Sequence, residues 1–232
     1  PIIRSRLGHI DLMEVDYGET VTLSNARVSL HPAGHILGSA QVRIEVQGQV
    51  AVVTGDYKWE ADPTCTPYEP LPCNLLVSES TFALPVFHWP SPEKVLDEIN
   101  AWWRSNQQQG KCSVLYGYAV GKSQRVLAGL DPSLGPIFLH GALVRPTEIY
   151  RQQGIALPPT RLVGEVPRDF DWSQAIVLAV PQAHGTPWLR RFGSVSTAMV
   201  SGWMAIRGTR RRRSLDRGFI LSDHLDWPGL IR

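Results

Sequence analysis

Four short stretches carry residue types able to do chemistry, and each follows a strand-like apolar run. His35 lies in Pro32-Ala33-Gly34-His35-Ile36-Leu37-Gly38-Ser39, and Asp56 lies in Thr54-Gly55-Asp56-Tyr57 directly after residues 50–53. Glu79 lies in Ser78-Glu79-Ser80-Thr81 after Leu75-Leu76-Val77, and His224 in Ser222-Asp223-His224-Leu225-Asp226-Trp227 near the chain's end. Imidazole and carboxylate delivered on adjacent strand-end loops are what a nitrogen and oxygen metal site requires. Taken singly, each has an ordinary explanation. Gly-Asp after a strand is turn chemistry, and Glu79, Ser222 or Asp223 can cap a turn or helix. Four such sites in one chain point to chemistry.

The elements that position them read as follows. Residues 1–30 give a basic start and then alternating, β-branched stretches, a strand meander. Val42, Ile44 and Val46 share one face of a half-buried strand, and Gly48 turns it into a more fully buried one at residues 50–53. Residues 62–72, rich in proline, form an irregular surface loop, and Leu75-Leu76-Val77 a short buried strand. After Pro85 the period changes. Ser91-Pro92-Glu93 opens a helix running to Trp103. Strands at residues 112–116, 136–139, 161–163 and 175–180 then alternate with helices at about 122–130 and 145–153, which predicts βαβ units and a parallel sheet. Residues 219–221 read as a return to the first sheet.

Composition narrows the class. At 232 residues, 43% hydrophobic and 19% charged, the chain suits one large or two smaller globular domains. No window approaches the roughly 18 apolar residues of a membrane span, and nothing at the start resembles a signal peptide, so the expectation is a cytoplasmic protein without membrane contact. Cys65, Cys73 and Cys112 show no C-x-x-C spacing, so any metal must be held by histidine and carboxylate.

The net charge of +2 is unevenly spread. Residues 189–217 hold eight arginines (190, 191, 207, 210, 211, 212, 213 and 217) and one acid, Asp216, while the rest carries 15 basic and 20 acidic residues. A local cationic block favours a polyanion: Arg207, Arg210, Arg211, Arg212 and Arg213 are candidate phosphate contacts, against the ordinary reading of a solvated charged loop. Gly117-Tyr118-Ala119-Val120-Gly121-Lys122-Ser123 falls one residue short of a nucleotide-binding P-loop. A helix starting there can still hold a substrate phosphate through its amides and Lys122, or simply close a βα loop. The eight tryptophans, Trp102 and Trp103 among them, read mostly as core.

The ordered series GHILGS, TGDYK, SESTFALP and SDHLDW, with YAVGKSQR at residues 118–125 and SGWM at 201–204, resembles the β-CASP group of metallo-β-lactamase superfamily nucleases. Among these it is most similar to bacterial DNA ligase-associated exonucleases. The likeness spans essentially the whole chain; each short string is weakly specific, their order strongly so. It implies an α/β fold: a metallo-β-lactamase αβ/βα sandwich, incomplete here, over residues 1–84 and 218–232, with an α/β β-CASP domain inserted at 85–217.

By that resemblance His35 ligates one zinc ion, Asp56 bridges two, Glu79 is the first β-CASP acid and His224 the histidine it orients. Asp56, Glu79 and His224 would then be the catalytic group, His224 acting as proton donor. The family's H-x-H-x-D-H cluster does not occur in this sequence, nor does a third β-CASP histidine, and His9 and His31 lack the spacing to replace them. The resemblance would place both beyond the residues given, so the expectation is a fragment that by itself binds zinc poorly and is inactive. For the intact protein it implies a zinc-dependent DNA exonuclease of repair or ligation, associated with an ATP-dependent DNA ligase and a helicase. The alternatives are an RNA-processing nuclease and a non-catalytic nucleic-acid-binding or scaffolding homologue.

Overall fold

The computed structural model describes residues 1–167, 169–206 and 215–232. The chain divides into two compact units, residues 1–87 with 223–232, and residues 88–222.

The first unit is built on a five-stranded sheet: β1 (Thr20–Leu23), β2 (Ala26–Pro32), β3 (Ala40–Val46), β4 (Gln49–Val53) and β5 (Leu75–Val77), in that spatial order. β1 to β4 form an antiparallel meander, and β5 joins β4 in parallel. The β3–β4 turn places Gln47 and Gly48 at φ 50° and 78°, the left-handed pair that a two-residue hairpin demands. Because β2 and β4 both run antiparallel to β3, and β5 runs parallel to β4, all three end at the same sheet edge. The loops carrying His35, Asp56 and Glu79 therefore leave from one edge.

Several local expectations change. Residues Ile2–Leu7 form a short helix, α1, and residues 11–15 form no strand. β5 is exposed, with Leu75, Leu76 and Val77 at 59%, 52% and 48%; among the described residues it is an edge strand, paired with β4 alone. In β4 only Val52 is buried, so it is no more buried than β3. Residues 62–72 lack regular structure as expected, yet Asp62, Thr64 and Cys65 are buried.

The second unit is a six-stranded, all-parallel sheet. Its strands are β6 (Cys112–Tyr116), β7 (Ile137–Leu139), β8 (Arg161–Leu162), β9 (Ile176–Ala179), β10 (Val195–Val200) and β11 (Arg217–Phe219), in the order β11-β10-β6-β9-β7-β8. Helices α2 (Pro92–Gln108), α3 (Lys122–Ala128) and α4 (Gly141–Gln152) intervene. Ser91 caps α2 by accepting from the Lys94 N–H, with Pro92 at its first turn. β6 is buried throughout and alternates faces: Leu115 packs with Val95, Ile99, Trp102 and Trp103 of α2, while Cys112, Val114 and Tyr116 face a second cluster containing Phe138 and Trp172. Burial pushes the Cys112 thiol up to about 12, so this cysteine is a core residue rather than a nucleophile.

Residues 219–221 do not return to the first sheet. β11 pairs in parallel with β10, and Phe219 and Leu221 join the core with Trp102. Among the described residues no helix is long and apolar enough to cross a membrane. A short helix, α5 (Trp227–Ile231), closes the first unit, capped by the Asp226 side chain.

Candidate metal centre

His35 sits on the loop between β2 and β3, where Ser39 Oγ accepts from the N–H groups of both His35 and Ile36 at 3.1 Å. The preceding Gly34 has φ +71°, and a Cβ there would lie 2.5 Å from the Lys58 carbonyl oxygen, so only glycine fits. Asp56 follows β4. The two are not on neighbouring strands, since β3 lies between β2 and β4. Their loops fold over that edge until His35 Nε2 stands 3.7 Å from Asp56 Oδ2. His224 arrives from the other end of the chain, held by the Leu225 N–H donating to the Tyr57 carbonyl at 3.0 Å. The packing of Leu225 on Ala33 and Tyr57 fixes that approach.

His35, Asp56 and His224 each offer a ligand atom, all within 4.8 Å of one another. Two ligands on a tetrahedral zinc ion, at bonds of about 2.0–2.1 Å, stand about 3.3 Å apart. The His35–Asp56 separation needs a few tenths of an ångström of closure. Imidazole and carboxylate together are a donor set that suits zinc and similar borderline metals, and a group of at most three protein ligands leaves a position open, as in a catalytic rather than a closed structural site.

The second ring nitrogen of each histidine is committed. His35 Nδ1–H donates to the Asp223 carbonyl at 2.7 Å, which fixes the tautomer and presents Nε2 to Asp56. His224 Nδ1 is 2.8 Å from Glu79 Oε2, so any ligand or proton-transfer role falls to its Nε2. The other Glu79 oxygen accepts the Tyr57 N–H at 2.9 Å. Phe82 stands edge-on to the His224 ring, with centroids 5.7 Å apart. Burial lowers the affinity of His35 for a proton. Burial works to raise Glu79, but hydrogen bonds from His224, Thr81 and the Tyr57 N–H outweigh it, and the carboxyl is held below its ordinary range.

That shift makes a stability prediction. A carboxyl with a depressed folded-state value contributes stability that is complete above its unfolded value, and it is lost as pH falls through the folded value. In chelator-treated protein, the difference in melting temperature between wild type and E79Q is expected to shrink as pH drops from about 6 to about 3. A difference that stays constant would mean Glu79 has no special partners in the fold.

Of the other candidates, Lys122 is 3% exposed and does not present its ammonium to solvent. Arg207 and residues 210–213 lie outside the described residues. His31 is a strand residue, with Nε2 3.0 Å from Ser29 Oγ and Nδ1 3.1 Å from Glu69. The sequence reading treated His224 only as a proton donor; its place beside the two ligand atoms was not foreseen. The Asp223 carbonyl and the Tyr57 N–H were missed outright, since main-chain groups leave no signal in residue type.

No family model matches the chain. Over its full length it is 34% identical to a protein of Opitutus terrae named Probable DNA ligase, of which it spans 23%. Half of it aligns at 34% identity with endoribonuclease YSH1 of Saccharomyces cerevisiae, covering 15% of that protein. A 59% share aligns at 27% identity with transcription termination factor FttA of Methanosarcina mazei, 23% of its length. The chain belongs to the β-CASP group of the metallo-β-lactamase superfamily. It spans less than a quarter of each of these relatives.

Proposed function

We propose that this protein acts as a metal-dependent nuclease, with zinc as the metal and DNA as the substrate. The observation that carries the reading is the convergence of His35, Asp56 and His224 ligand atoms with Glu79 behind His224. Bound metal ions would supply a nucleophile near neutral pH and neutralise charge on the phosphoryl oxygens. Of this chain's own residues, His35 and Asp56 would hold the metal, Asp56 contributing the negative charge. His224, oriented by Glu79, would pass a proton to the departing oxygen through Nε2.

DNA is favoured because the similarity to the Opitutus DNA ligase runs the full length of the chain, whereas the endoribonuclease covers half of it. An exonuclease acting beside an ATP-dependent ligase and a helicase fits that likeness. The RNA-processing reading rests on the endoribonuclease and termination-factor relatives. The two separate on end-labelled DNA and RNA of one sequence, incubated with the full-length protein with and without chelator. Chelator-sensitive shortening of DNA from one end is the expected result. Cleavage of RNA alone would favour the second reading, and cleavage of neither would overturn the proposal.

With Lys122 buried, backbone contact in this proposal falls to the arginines. Each phosphate contact contributes about 0.7–0.9 to the slope of log affinity against log salt. Replacing Arg210, Arg211, Arg212 and Arg213 by alanine is expected to flatten that slope by about 3, with little change in sequence preference. An unchanged slope would remove these arginines from the interface.

A further inference from the structure

Beneath the loop carrying His35 lies a fully buried ion pair for which the proposed chemistry has no role. Lys58 is 0% exposed, and its ammonium has three N–H bonds to place. Nζ donates to the Gly34 carbonyl, to the His35 carbonyl at 2.9 Å, and to Asp62 Oδ2 at 3.0 Å. Asp62 is itself fixed, its Oδ1 accepting from the Thr64 N–H at 2.8 Å and the Thr64 hydroxyl at 2.6 Å. Cys65 Sγ also reaches the Gly34 carbonyl, at 3.2 Å.

A buried pair of this kind is a weak device for stability. Desolvation costs several kcal/mol per ion, and packed apolar residues of similar volume often serve as well. What an apolar pair cannot do is grip two successive carbonyls of a metal-ligand loop. Lys58 is also two residues beyond Asp56, so one side chain ties the loop of one candidate ligand to the loop of the other. The main-chain Lys58 N–H donates to the Ala33 carbonyl at 3.3 Å, a second tie between the same two loops.

We propose that Lys58 is a positioning residue for the metal centre. Its ammonium, anchored by Asp62, holds the Gly34 and His35 carbonyls so that the His35 ring keeps its bond to the Asp223 carbonyl and aims Nε2 at Asp56. The inference rests on the proposed metal site for its consequence, but the ring state of His35 can be read without any metal.

The test uses the full-length protein and three variants: K58M, K58M/D62L, which replaces the pair with apolar residues, and T64V, which only loosens Asp62. Nitrogen-15 NMR of the histidine rings in chelator-treated protein reports the His35 tautomer, and competition titration with zinc reports affinity. Wild type is expected to show a single Nδ1–H tautomer. K58M/D62L should stay folded by circular dichroism, yet show a mixed or averaged His35 ring and zinc binding weaker by about 10- to 100-fold. T64V should shift the same signals in the same direction by less.

A folded K58M or K58M/D62L with wild-type His35 ring signals overturns the proposal. If neither folds, T64V decides, and unchanged ring signals there overturn it equally. If wild type binds no zinc, the proposed function fails, and the ring signals alone still decide the role of Lys58.

Discussion

An Asp56→Ala variant of the full-length protein is expected to lose about a thousandfold in kcat/KM on an end-labelled oligonucleotide, with little change in melting temperature. The side chain of Asp56 is 53% exposed and, among the described residues, its one ion-pair neighbour is His35 at 3.7 Å, so its removal leaves no cavity and no buried orphan. Exposed substitutions of this kind usually move stability by about 0.5 kcal/mol or less. The loss falls on the chemistry instead. A carboxylate that helps hold a metal cation is worth several kcal/mol of transition-state stabilisation, and about 4 kcal/mol corresponds to the stated factor. D56N separates charge from shape, because the amide keeps one oxygen but not the anion. It should fall close to D56A, and both should bind zinc more weakly in competition titration. A D56A enzyme within about tenfold of wild type, where 1.36 kcal/mol is each factor of ten, would sink the assignment of Asp56.

How much of this was legible in the sequence depends on whether the information is local. His35, Asp56 and Glu79 could be placed on strand ends because each strand-like run is followed within three residues by a glycine or serine. That all three emerge from one sheet edge depends on the meander β2-β3-β4 and the parallel addition of β5. The Gly48 turn signalled the β3–β4 hairpin, but no residue signalled the parallel pairing of β5.

Sheet membership was the harder question. Arg217-Gly218-Phe219 is three residues long and carries nothing that names its partner. Its place is set by tertiary contact: a Cβ on Gly218 would meet Met204 Sδ at 2.8 Å, and Phe219 packs edge-on against Trp102 with centroids 5.7 Å apart. Exposure misled for a related reason. Leu75-Leu76-Val77 reads as a short buried strand, but burial belongs to what covers it, and composition cannot report that. Lys58 was invisible because a lysine is assigned to the surface by default, and only the joint presence of Gly34, His35 and Asp62 oxygens makes its burial tolerable.

The pair Glu79 and His224 carries the second large effect. H224A is expected to cost about 10²- to 10⁴-fold in kcat, the range for a positioned proton-transfer group, while zinc affinity falls less than in D56A. E79Q is the more informative change. The carboxylate accepts from the Tyr57 N–H at Oε1 and from His224 Nδ1 at Oε2, with the Thr81 side chain as a third donor. Glutamine has one acceptor oxygen, so its NH₂ must face one of those donors, and either the loop or the ring gives way. The imidazolium that forms when His224 carries a proton also loses the anion beside it. E79Q should therefore lower kcat by about 10- to 100-fold while zinc affinity changes little. If His224 serves only as a metal ligand, zinc affinity in E79Q drops in step with kcat, and the proton-donor role is withdrawn. The double variant gives the decisive comparison: for residues acting as one device, E79Q adds almost nothing to H224A.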